Sequence, residues 1–395
     1  MQPNIIVCVL SGVGFSSFES FFRNNRRKTV GTVAIALLLS FMTVQNKEFI
    51  ENNRNNSFFA AHGSIIIDAI PSRSLLISHT DIDWNSVRFL RTCEPHYKRK
   101  QITHISAQLL PYPWFQRQVN AKLFGKAIFP PIEAGVSTNK NEEGNAVLLS
   151  NFMGANLNKF KGGVYLDMQG VNDAEIGTAG VWRHFALVPH GLVYRIVPRF
   201  QNPREASRYF PLSYEQHRQV VANFKNPRTK MRPGTWEFAA ISIYYDSHYQ
   251  FALTLLTYAI ETKEEGRLPD YIQKLGMSSA LLSECVDAYE ELEGGPLSYP
   301  KGDLYKNAAL SHMRFVTSLE EGRLLNLRSG EAEQQDGLPK VSLGDEGRYL
   351  KALKEAIRVI ELFLENFPED SNAGVFVTAL NRMTVVAERK SYLAN

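Results

Sequence analysis

The chain is 395 residues long, 44% apolar and 21% charged, with 24 phenylalanines and 16 tyrosines, a composition that supports a sizeable core and excludes intrinsic disorder. Its net charge of +4 is too small and too dispersed for a nucleic-acid binder, and the basic runs 24–28 and 96–100 read as solvated turns. Cys8, Cys93 and Cys285 stand apart without CxxC spacing; neither a zinc site nor a disulfide framework is supported, and the spacing leaves a single bridge between Cys93 and Cys285 undecided.

Residues 1–18 and 29–46 are uncharged, separated by Arg23, Arg26, Arg27 and Lys28, and the second run centres on VAIALLL at 33–39. A membrane-spanning helix needs about 20 mostly apolar residues, so residues 1–46 read as a transmembrane helical hairpin and anchor. The competing readings are a secretory signal, which lacks its basic start and clean cleavage site, and a buried core helix. The positive-inside rule places the basic turn in the cytoplasm and everything after residue 46 across the membrane. The sequon Asn55-Asn56-Ser57 agrees, making Asn55 a candidate glycosylation site.

Residues 47–210 read as an α/β domain. A helix is expected over 58–70, a strand at 75–78, and a helix opening at Asp83, whose carboxylate suits an N-cap. Trp84, Val87, Leu90 and Arg91 follow at helical spacing, with Cys93 ending the apolar face. Strand 102–106 leads to an aromatic corner, Tyr112-Pro113-Trp114-Phe115, and a helix over 115–124. A surface loop at 137–144, a helix over 145–160 and a strand at 164–167 come next. Segments 184–188 and 192–197 form a hairpin around Pro189-His190-Gly191. Helices between strands imply a layered, at least partly parallel sheet.

Residues 211–395 read as helical, with amphipathic segments at 236–245, 249–262, 278–292, 306–319 and 348–367 and a mobile loop at 325–347. Ala356, Ile360, Phe363 and Pro368 occupy the small, large, large and proline positions of a tetratricopeptide second helix. A clean 34-residue period is absent, so the expectation is a degenerate, tetratricopeptide-like domain, with an unrelated helical bundle as the competing reading.

Asp81-Ile82-Asp83 is formally a DxD pair of the kind that holds a divalent metal against a diphosphate, but capping and the strand-to-helix corner explain both acids. No glycine-rich loop follows the first strand, which argues against a nucleotide cofactor. His79, His104, His184 and His190 lack the i, i+4 spacing of a helical ligand pair, and no nucleophile elbow is present. No catalytic, cofactor-binding or metal residue is assigned. The candidates for partner contact are Asp81, Asp83, Trp84 and Asn85 in the polar corner, and Tyr112 and Trp114 as an aromatic surface for a glycan or peptide.

The stretches DIDWNSVRFLRTCE (81–94), LLPYPWF (109–115) and VWRHFALVPHGLVYRIVP (181–198) together resemble the C-terminal lumenal portion of the transmembrane protein 260 family. These are polytopic protein O-mannosyltransferases acting on plexin-type receptor domains. The resemblance rests on Asn85, Ser86, Arg88, Phe89, Leu90, Cys93, Glu94, Tyr112, Trp114 and Phe115, and runs in order through most of residues 1–260. A tetratricopeptide-like tail also belongs to that family. The resemblance implies a multi-span membrane domain ahead of this region, holding the catalytic acid and binding a dolichyl-phosphate-mannose donor. Neither is carried by this chain, which marks it as a fragment or truncated gene product, and no catalytic residue is carried over.

The implied role is an endoplasmic reticulum module, lumenal over residues 47–395, that recognises a protein acceptor or supports the missing catalytic domain in metal-independent mannose transfer to Ser/Thr. Two alternatives stand beside it: a non-enzymatic membrane-anchored interaction scaffold with tetratricopeptide-like repeats, and a soluble metal-dependent hydrolase using Asp81 and Asp83.

Overall fold

The computed structural model describes residues 58–112, 114–115, 124, 126–130, 142–167, 184–201, 203–222, 234–264, 266–291, 300–329 and 346–394, together with Phe41 and Val44. The chain divides into two compact units, Met1–Ser57 and Phe58–Asn395. In the first, Phe41 and Val44 are helical and exposed; the rest of the membrane hairpin expected over 1–46, and Asn55, lie outside the described residues. So do the helix expected after Phe115 in its greater part and most of the loops at 137–144 and 325–347. Among the described residues no helix is long and apolar enough to cross a membrane.

The second unit opens with α1 (Phe58–Ala69), β1 (Ser74–Ser78), α2 (Asp81–Cys93), the single turn α3 (Pro95–Lys98) and β2 (Ile102–Ser106). There follow α4 (Glu142–Asn156), β3 (Val164–Asp167), β4 (Phe185–His190) and β5 (Val193–Pro198). The strands form a five-stranded sheet of order β2-β1-β3-β5-β4. β1 runs parallel to both β2 and β3, while β5 runs antiparallel to β3 and β4. Strand β1, SLLIS, is buried throughout because a central parallel strand is covered on both faces. The β4–β5 turn is made by Gly191 and Leu192, and Gly191 takes the positive φ of 66° that such a two-residue connection needs at its first position.

Alternating side chains feed two apolar layers. Leu75, Ile77 and Val164 face Leu149, Phe152 and Met153 of α4. Leu76 and Tyr165 face the other way, onto Ile66 of α1, Val87 of α2 and Ile241. Helices α1 and α2 touch closely at Gly63, where an added Cβ would lie 2.9 Å from the Ser86 backbone.

The remaining helices are α5 (Pro203–Ala222), α6 (Trp236–Glu264), α7 (Leu268–Glu291), α8 (Lys301–Ser329), α9 (Glu346–Asn366) and α10 (Ala373–Ala394). From α6 onward each packs chiefly on the next in sequence. Helix α6 is unbroken where two segments were expected. The polar triplet Asp246-Ser247-His248 that suggested a link is buried inside the helical packing. Helix α7 starts ten residues before the expected Ser278, because Lys274, which interrupts the apolar pattern, is buried and donates to Thr262 Oγ1 at 2.9 Å. Helices α5 and α10 were not singled out by periodicity. Ala356, Ile360 and Phe363 are fully buried, and α9 ends two residues before Pro368. Residues 210 and 211 lie within α5, and α6 contributes Ile241 to the sheet-side core and Phe251 to the helical core.

Candidate functional site

The β1–α2–β2 crossover packs on one face of the sheet and the β2–α4–β3 crossover on the other. The order β2-β1-β3 therefore puts a topological switch point at the carboxyl ends of β1 and β3, where open α/β sheets bind ligands. The residues gathered there come from four segments.

Asp167, the last residue of β3, is fully buried and accepts from the backbone N–H groups of His79 at 2.6 Å and Thr80 at 3.3 Å. It thereby clamps the corner between β1 and α2 onto the neighbouring strand. Thr80 is the N-cap of α2: it has extended backbone angles (φ −91°, ψ 150°), and its hydroxyl accepts from Asp83 N at 3.5 Å. The expected capping by Asp83 is thus corrected. The helix opens two residues earlier, at Asp81, which turns the Asp83 carboxylate inward to meet His62 Nε2 of α1 at 2.6 Å, both side chains being inaccessible to solvent. Asp81 and Asn85 are exposed, so Asp81 and Asp83 serve different surroundings and do not converge as a DxD pair. Among the described residues no group of three or more His, Cys, Asp or Glu could hold a metal ion, and the hydrolase reading loses its ligand pair.

Trp84 is half-buried and packs against His104 of β2, ring centroids 4.4 Å apart and planes inclined at 47°, with the Arg88 guanidinium 5.4 Å over its indole. His104 Nε2 shares a 2.9 Å hydrogen bond with Ser78 Oγ. Burial first, then the positive charges of Arg91 and Arg88, push the His104 imidazole down to about 3, so it is neutral at physiological pH. Burial likewise lowers the Arg91 guanidinium.

Past the carboxyl end of β2, Tyr112 and Trp114 are about half exposed (51% and 48%), their rings 6.1 Å apart and inclined at 33°. Trp114 meets Phe115 edge-on at 5.9 Å, and Phe115 is buried in the sheet core, which fixes the corner. Of the six sequence candidates, Asp81, Trp84, Asn85, Tyr112 and Trp114 are solvent-accessible and Asp83 is a buried partner of His62. His62, Ser78 and Asp167 were missed. The acid closing strand 164–167 was a visible signal; the partners 21 and 88 residues apart in sequence were not.

The helical half carries its own concavity, a groove of about 800 Å³ between α7 and α9 floored by His312 and Phe315 of α8. Ser283 bridges His312 Nε2 and Glu355 Oε1, each at 2.8 Å. Burial drives the His312 imidazole down to about 4 against the opposing pull of Glu355. No sequence spacing announces this group, because its members sit on three helices.

No family model and no solved structure matches the chain. Over 215 residues, half of the chain, it is 24% identical to the protein O-mannosyl-transferase tmem260 of Dictyostelium discoideum, and the matched stretch spans 24% of that protein. The similarity shows distant relatedness to a protein O-mannosyl-transferase.

Proposed function

We propose that this chain is a glycosyltransferase-related module that contacts the protein acceptor in O-mannosyl transfer and leaves the chemistry to catalytic groups outside its own residues. The observation that carries the reading is the 24% identity to a protein O-mannosyl-transferase. The exposed pair Tyr112 and Trp114 supports the contact role, because aromatic faces bury much area at low entropic cost; Trp84 with Arg88 over its indole, and the exposed Asp81 and Asn85, offer further contacts on α2. The resemblance adds a dolichyl-phosphate-mannose donor, a setting in the endoplasmic reticulum membrane and a tetratricopeptide-like character for the helical half, while the apolar runs and the Asn55 sequon add an anchor over residues 1–46 and a lumenal placement. The chain partners a protein acceptor or the membrane catalytic domain.

The test is titration of a Ser/Thr-bearing receptor ectodomain against the intact chain in detergent. Trp114→Ala should weaken binding about tenfold, the scale of an interface anchor, without changing the melting temperature. Unchanged affinity refutes the contact surface. Robust mannosyl transfer by this chain alone refutes placing the chemistry elsewhere.

The groove between α7 and α9 favours a second reading, a non-enzymatic scaffold that holds a polypeptide along its helices. Ectodomain binding that is lost in Ser283→Trp but kept in Trp114→Ala would select it.

A further inference from the structure

At the amino ends of β1, β2 and β3, on the edge opposite the candidate site, a second cleft of about 690 Å³ opens. Arg73, Lys126, Lys159 and Lys161 line it, with Phe124 and Phe160 as an apolar wall and, among the described residues, no acidic side chain. Among the described residues none of these four cations makes a salt bridge. In a chain of net charge +4, four unneutralised cations around one cleft repel each other and concentrate a positive field.

The turns that carry them are built rather than loose. Arg73 has φ 65°, a left-handed backbone that among the described residues no other non-glycine residue adopts. Its N–H donates to Gln101 O at 2.6 Å and its carbonyl accepts from Gly162 N at 3.1 Å, so it is tied to both neighbouring strand entries. Gly162 has no room for a side chain, since a Cβ would lie 2.6 Å from Ser72 O, and this close approach brings Lys159 and Lys161 beside Arg73. Lys126 sits on a segment held by Asn156, a fully buried side chain that exchanges hydrogen bonds of 2.8 and 2.7 Å with the Ile128 backbone. An unfavourable backbone held in place at a cluster of like charges is the pattern of a binding site.

We propose that this cleft binds a phosphate group, that of a phosphomonoester or diphosphate, either free or as a lipid headgroup. The Arg73 guanidinium matches two phosphate oxygens in its plane, and the three ammonium groups add charge-assisted hydrogen bonds. The volume falls within the range of small-ligand pockets, and the phenylalanines suit the organic part of the ligand. The inference is independent of the acceptor-contact reading.

The experiment uses the intact chain in two arms: calorimetric titration with inorganic pyrophosphate, and sedimentation with phosphatidylcholine vesicles with and without phosphatidic acid. Binding of pyrophosphate supports a soluble ligand; dependence on phosphatidic acid without pyrophosphate binding supports a headgroup. Lys159→Glu combined with Lys161→Glu should weaken the positive arm about tenfold or more. Arg208→Glu combined with Arg389→Glu, the same charge change at exposed positions outside the cleft, should stay within about twofold. Arg73→Gly guards against misfolding, because glycine accepts the left-handed backbone: the melting temperature should hold or rise while binding falls. Binding in neither arm, or equal losses in the two double variants, overturns the proposal.

Discussion

Acidification offers the most direct test of the buried polar architecture. His104 and His312 are 5% and 3% exposed, with folded pKa values near 3 and 4, against about 6.5 in an unfolded chain. Between those values the unfolded state binds more protons, so stability rises with pH; the contribution is complete above about 6.5 and is lost as pH falls. From pH 7.5 to pH 5, each histidine should cost about 2 kcal/mol. Because pH 5 lies above both folded values, the loss depends on the unfolded pKa alone. Together they remove about 4 kcal/mol, a large share of a typical folding free energy of about 5–15 kcal/mol. His190 and His217 are lowered too, chiefly by burial, and add in the same direction. The depressed carboxylates Glu284 and Glu355 act below the ordinary glutamate range, so pH 5 isolates the histidines. The assay is urea denaturation of the wild type and of His104→Gln at pH 7.5 and 5. Glutamine can keep a polar partner for Ser78 without titrating. The stability difference between the two pH values should be about 2 kcal/mol smaller in the variant. An identical difference in both proteins would refute the neutral buried imidazole.

The aspartates of the corner should separate cleanly. Asp83→Asn leaves His62 buried without its carboxylate partner and should cost about 1–3 kcal/mol in urea denaturation, whereas Asp81→Asn at the exposed position should stay within about 0.5 kcal/mol; equal costs would contradict the geometry. Gly63→Ala forces a Cβ against the Ser86 backbone and should destabilise by about 1–3 kcal/mol, read as a lower urea midpoint. Phe363→Ala opens a cavity in the fully buried helical core and should cost about 3–5 kcal/mol, again by denaturation, with Phe89→Ala on the exposed face of α2 as a near-silent control.

Much of the fold was legible because local chemistry and tertiary placement agree. The branched and apolar runs at 75–78, 102–106 and 164–167 are the three parallel strands. Gly191 marks the hairpin because its backbone must turn with positive φ. Periodicity failed where polar side chains are buried. Asp246, Ser247 and His248 read as a break inside α6, and Lys274 hid the first turns of α7, because a sequence pattern scores polarity without seeing the partner that satisfies it.

The sequence by itself determined the order of α/β and helical regions and the polar corner after the first strand, since these follow from side-chain type and spacing along one segment; the exposure of Tyr112 and Trp114 came from the structure. Only the tertiary structure decided that Thr80 caps α2, that Asp83 belongs to His62 and that Asp167 clamps the corner. It also brought four cations from three separate segments to one cleft. The physical reason is common to all of them. A carboxylate or ammonium has a role only once its partner and its exposure are known, and both are set by packing between segments far apart in the chain.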